Sequence, residues 1–127
     1  MKKQIFTLLL FPSLFLTGAS AGNIYVSPDG DDRAKGTAEA PLKTIEAALK
    51  QAREWRRLGF NEAEGGIDII VRGGVYRLYK PIFIRPEDSG TPQSPTVIRG
   101  AAGETAVISG GVNVTGWRKA ADDPRLP

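Results

Sequence analysis

The chain contains neither cysteine nor histidine, and only one methionine. Without cysteine there is no disulfide, no thiolate nucleophile and no lipid-modified N-terminal cysteine. Without histidine, Ser-His-Asp and Cys-His mechanisms drop out. With both missing, so do the common zinc sites. Charge of one sign is scarce too: 17 Lys and Arg against 14 Asp and Glu give a net charge of +3. Two of the cations, Lys2 and Lys3, sit at the very start. The rest of the chain is nearly neutral, which gives no electrostatic case for a nucleic-acid partner. The longest mainly apolar stretch, Ile5 to Leu16, is too short for a membrane span.

That opening stretch reads as an export signal. Lys2 and Lys3 form a positive n-region, Ile5 to Leu16 an apolar h-region, and Ala19-Ser20-Ala21 a small-residue cleavage site. Residues 1–21 are expected to be removed and the mature chain to reach the periplasm or the exterior. An exported form whose intact mass begins at Gly22 is the expected result, and a retained Met1 would refute the assignment. The 106 residues that remain suffice for a modest core.

Residues 22–66 read as a strand, a turn and one helix. Asn23-Ile24-Tyr25-Val26 is a short β-branched run, closed by the turn signal Ser27-Pro28-Asp29-Gly30-Asp31-Asp32. The acids there raise a calcium site, but the alternation of an EF-hand is missing and an Asx-type turn fits better. Thr44 then suits a helix N-cap, and Glu46 the first turn. Ile45, Ala48, Leu49, Ala52 and Trp55 share one stripe, so Trp55 is expected to pack. Arg56 and Arg57 fill the last turn, and Gly59 ends it. Phe60 to Gly66 is a polar loop.

From Ile67 onward the period changes. Ile69-Ile70-Val71-Arg72-Gly73-Gly74, Ile82-Phe83-Ile84-Arg85-Pro86, Val97-Ile98-Arg99-Gly100 and Val107-Ile108-Ser109-Gly110 are versions of one word. Each joins apolar residues to a polar residue and a Gly or Pro. No second helix separates these words, so a wound α/β sheet is disfavoured. The pattern fits a solenoid of short strands with glycine and proline corners. Ile84 and Ile108, 24 positions apart, are expected to mark one coil. Ile45, Leu49, Ile70, Ile84, Ile98 and Ile108 are the expected core. The amphipathic helix is expected to cover the open end of the first coil.

Taken in order, "IYVSPDGDD", "GTAEAPLKTIEAAL", "IIVRGGVYRL", "IRPEDSGTPQSPTVIRGAAGETAVISGG" and "VTGW" resemble the N-terminus of secreted right-handed parallel β-helix proteins of the pectate-lyase-like superfamily. They are most similar to bacterial glycoside hydrolases of that fold, of the α-L-fucosidase and xylanase type. The resemblance implies a mainly β fold. An N-terminal cap of a short strand and one amphipathic helix spans residues 22–66, and the first coils of the β-helix span residues 67–127. It implies longer family chains, catalytic carboxylates on later coils, and a truncated chain here.

No residue is therefore assigned as catalytic, cofactor-binding or metal-binding, and no cofactor is expected. Glu87-Asp88 is the best-placed acid pair, but a glycosidase pair needs a gap of roughly 5–9 Å across a cleft. These two are expected to face Arg85 or solvent. Arg72, Arg85 and Arg99 are read as exterior strand ends neutralised by Glu87, Asp88 or Glu104. Trp117, Tyr76 and Tyr79 are candidates for sugar stacking, with packing the expected role. Asn113-Val114-Thr115 matches a glycosylation pattern and is incidental beside a bacterial-type signal. The expected function is the opening portion of a polysaccharide-active protein, inert alone and a glycoside hydrolase (or lyase) when whole. Its glycan contacts then come from downstream coils. The alternative is a glycan-binding or structural, adhesive module. Self-association at the uncovered end is expected of the short chain.

Overall fold

A computed structural model describes residues 20–117. The segment expected to act as an export signal therefore lies almost wholly outside the described residues, as does the stretch from residue 118. Among the described residues there are five strands and one α-helix: β1 (Gly22–Val26), α1 (Ile45–Leu58), β2 (Ile67–Val71), β3 (Gly74–Arg77), β4 (Thr96–Gly100) and β5 (Ala106–Ser109). Among the described residues no helix is long and apolar enough to cross a membrane.

The strands form two parallel sheets, ordered β1-β2-β4 and β3-β5. The chain runs β2, corner, β3, then repeats as β4, corner, β5 stacked directly on the first pair. Ile24, Ile69 and Ile98 align across the first sheet, and Tyr76 and Ile108 across the second. The repeat is therefore 29 residues between Ile69 and Ile98, and 32 between Tyr76 and Ile108. This corrects the 24-residue spacing drawn from Ile84 to Ile108. Ile84 belongs to no strand. At the first corner, Gly74 adopts φ 131°, and a Cβ there would meet Pro28 Cγ at 2.6 Å. Only glycine fits both constraints.

Side chains alternate as a strand requires. Ile24 and Val26 of β1 and Ile67, Ile69 and Val71 of β2 point to one buried face. Helix α1 lies across that face and buries Ile45, Ala48, Leu49 and Ala52 against it, with Trp55 packed at the margin. The helix forms as its ends dictate. The Thr44 hydroxyl oxygen accepts from the Ala47 N–H at 3.1 Å, and Gly59 closes the other end at φ 68°. Each fully buried aliphatic side chain contributes about 1.5–3 kcal/mol, so this interface carries most of the fold's stability.

The core therefore lies one level below where the sequence words place it. Ile45, Leu49 and Ile70 are buried as expected. Ile98 and Ile108 stay 39% and 54% exposed, although they sit in register with the inward residues Ile69 and Tyr76. Among the described residues no further strand covers them. Ile84 is a plain correction: it is 64% exposed and lies outside the wall. Prolines at 81 and 86 bracket its segment and supply no N–H donors. Among the described residues, Tyr79, Lys80 and residues 82–84 donate no backbone hydrogen bond.

Tyr76 ties the two sheets together. Its buried hydroxyl donates to the Arg72 carbonyl oxygen at 2.8 Å and lies 3.1 Å from that of Val26. Burial, and then the charge of Glu104, raise the phenol above its ordinary value. A raised phenol favours the folded state below the free-tyrosine value of about 10, and that contribution is lost as the pH climbs further. Tyr76→Phe is expected to cost about 1 kcal/mol at neutral pH. The gap from wild type should narrow above about pH 10. Urea midpoints of both proteins across that range test it, and a gap that stays constant refutes the linkage.

Candidate functional site

Two of the three acids of the first turn, Asp31 and Asp32, bind backbone N–H groups. Asp31 accepts from the Arg33 N–H at 3.0 Å. Asp32 accepts from the N–H groups of Lys43 and Thr44, at 2.9 and 2.8 Å, and from the Thr44 hydroxyl at 3.0 Å. Asp32 thereby fixes the entry of the chain into α1. Among the described residues no group of three or more acids could hold a metal ion.

The structure separates Glu87 from Asp88. Pro86–Asp88 form one 3-10 turn, with Glu87 outside and Asp88 inside. Glu87 is exposed, 3.8 Å from Arg85. Asp88 is only 1% exposed and accepts from the Arg53 guanidinium and the Arg85 N–H. Its partner is thus Arg53 of α1, not the Arg85 side chain or solvent, because the turn folds back over the helix. Both Asp88 oxygens are occupied, so the two carboxyls do not form a facing acid–base pair.

The three arginines expected at strand ends have different fates, and Arg85 follows no strand at all. Arg85 meets Glu87, as expected. Arg99 pairs with Asp68 on the neighbouring strand β2 at 2.8 Å, not with Glu87, Asp88 or Glu104. Arg72 donates to the Ala38 carbonyl at 2.7 Å and lies 5.6 Å from the centre of the Tyr25 ring. Glu104 instead accepts from the Gly73 N–H at the corner. None of the three points an unengaged guanidinium at a cleft. Two further arginine roles carried no sequence signal. Arg53 holds Asp88, and Arg56 donates to Thr96 and to the Ser94 carbonyl at 2.7 and 3.0 Å. Burial lowers the Arg56 guanidinium from its ordinary value, partly offset by Asp88.

The aromatic candidates divide. Tyr76 packs, whereas Tyr79 is 82% exposed and Trp117 is exposed too, so neither serves the core. Tyr79 helps to line a groove of about 490 Å³. Its lining combines apolar Val75, Tyr76, Leu78 and Ile45 with charged Lys43, Glu46, Arg77 and Lys80. A second groove of about 240 Å³, lined by Phe83, Arg53 and Arg85, shares Glu46 and Lys80 with the first. The pair runs along one side of α1. Among the described residues, Lys43, Arg77, Lys80 and Glu46 make no ion pair. An apolar lining with a few polar groups is the usual make-up of a binding depression.

No family model matches the chain. A pectate lyase, PEL9 of Emericella nidulans, is 40% identical over 101 residues, covering 80% of this chain and 20% of that protein. The uncharacterized protein YwoF of Bacillus subtilis is 31% identical over 91 residues, 72% of this chain and 16% of its own. A solved structure titled as a glycoside hydrolase superposes with a TM-score of 0.77 at 53% identity, over 80% of this chain and 17% of that one. A structure of XylC with xylose gives 0.52 at 27% identity, over 79% and 14%. The chain thus spans a fifth or less of the length of each. These relatives support a polysaccharide-active family for the chain, pectate-lyase-like or glycoside-hydrolase-like.

Proposed function

We propose that the chain is the N-terminal portion of an exported glycoside hydrolase, forming the cap and first coils of its right-handed parallel β-helix. One observation carries the reading. A solved glycoside hydrolase shares 53% identity and this fold over 80% of the chain, which accounts for only 17% of that structure. The two stacked strand–corner–strand repeats, with a helix across one end, are what such a cap requires. Export rests on residues 1–21 of the sequence alone.

In this reading the bond-breaking carboxylates lie on coils beyond the described residues. Glu87 and Asp88 are ill-placed to act as a pair, so the 127-residue chain by itself is expected to release no sugar. The uncovered rung of β4 and β5, with Ile98 and Ile108 exposed, is also proposed to drive self-association of the short chain. Sedimentation that stays monomeric at all concentrations refutes that part.

A lyase reading has one observation in its favour, the 40%-identical pectate lyase. The test compares this chain with the complete product of its reading frame, on xylan, fucosylated glycan and pectin. New reducing ends without an unsaturated product support the hydrolase. Elimination leaves a carbon–carbon double bond at the new non-reducing end, so ultraviolet absorbance of the product selects the lyase. Binding without release selects a glycan-binding module.

A further inference from the structure

We propose that the paired grooves along α1 bind an acidic glycan strand, at a site separate from any bond-cleaving cleft. The inference rests on the polysaccharide-active reading and names a ligand class for a surface outside the expected catalytic coils. Charge is the first argument. Lys43, Arg77 and Lys80 line the larger groove without a carboxylate partner among the described residues, and Glu46 is its single acid. Arg53 and Arg85 in the smaller groove are already matched by Asp88 and Glu87. The uncompensated charge is cationic, so it complements a carboxylate-bearing ligand better than a neutral or cationic one.

Shape and surface chemistry are the second argument. The two grooves adjoin through Glu46 and Lys80, giving an elongated track rather than a closed hole. Tyr79 and Phe83 stand exposed along it and pack against nothing in the core. Flat rings beside charged donors suit a sugar, whose C–H face stacks while its hydroxyls and carboxylate take hydrogen bonds. A flexible acidic peptide needs the charges but not the rings.

The test uses the 127-residue chain and polygalacturonate, a linear glycan with one carboxylate per residue. Fully methyl-esterified polymer is the same chain without the charge, and poly-glutamate is the charge without the sugar. Binding is read by titration calorimetry and by retardation in gels containing each polymer. The expected result is binding to polygalacturonate that weakens at least tenfold on esterification. Lys43→Ala/Lys80→Ala and Tyr79→Ala should each weaken it at least tenfold, and Arg57→Ala should not. All of these side chains are exposed, so unchanged urea midpoints show that the variants remain folded. No binding by the folded chain overturns the proposal, as does binding that the groove variants leave intact. Equal affinity for the ester, or for poly-glutamate, overturns it too. The polysaccharide-active reading fails separately, if the complete product neither cleaves nor binds any glycan.

Discussion

Ile69→Ala is expected to destabilise the chain by about 3–4 kcal/mol, while Ile84→Ala changes stability by less than about 0.5 kcal/mol. Ile69 is fully buried, in register between Ile24 and Ile98, on the face that α1 covers. Removing its outer carbons leaves a cavity walled by a sheet and a helix that cannot both move in. Ile84 is mostly exposed, between two prolines, so its truncation opens nothing. Urea midpoints with unchanged slopes separate the two cases. Equal losses from both substitutions would place Ile84 inside the wall and restore the 24-residue spacing.

That contrast also marks what the sequence could reveal. Helix α1 was legible because its cap, stripe and terminal glycine are local signals that agree. Strands β1, β2, β4 and β5 were legible because β-branched words ended by turn residues have few other homes. The word at Ile82-Phe83-Ile84 has the same composition but lies between Pro81 and Pro86. The strand that does form, β3, begins at Gly74 directly after Gly73 and reads poorly. Repetition of a word therefore overstated the repetition of a strand, and the period followed the word. The second sheet is fixed by the pairing of Gly74–Arg77 with Ala106–Ser109, contacts 32 residues apart in the chain.

The candidate site was less legible for the same reason. Arg53 and Asp88 lie 35 positions apart, and Arg56 and Thr96 lie 40 apart. On a helical wheel both arginines look like ordinary solvated residues. Their roles appear only when the chain after β3 returns across the helix. Tyr79 was visible as a sugar-stacking candidate, but its exposure depends on where that return segment runs. The unmatched cations of the groove emerge only after the other ion pairs are assigned.

Asp88→Asn is expected to cost about 2–3 kcal/mol, close to the effect of losing a core isoleucine. Breaking a buried ion pair usually costs about 3–5 kcal/mol, because one charge is left without a partner. Here the Arg53 side chain is still 26% exposed and can turn to water, which lowers the figure. Asparagine keeps the shape and can still accept from the Arg85 N–H, but it cannot neutralise Arg53. The loss should persist in concentrated salt, since a buried pair is poorly screened. The exposed Arg57–Glu54 pair on the same helix is the contrast: removing it should cost well under about 1 kcal/mol and nothing measurable in salt. Unfolding of both variants at low and high ionic strength is the measurement. A small loss for Asp88→Asn, or one abolished by salt, would mean the pair is a surface contact. A large persistent loss would instead make Asp88 the clamp that holds the return segment on α1. Arg56 reinforces it at Ser94 and Thr96, where β4 begins. Helix α1 then not only covers β1 and β2 but fixes where β4 starts.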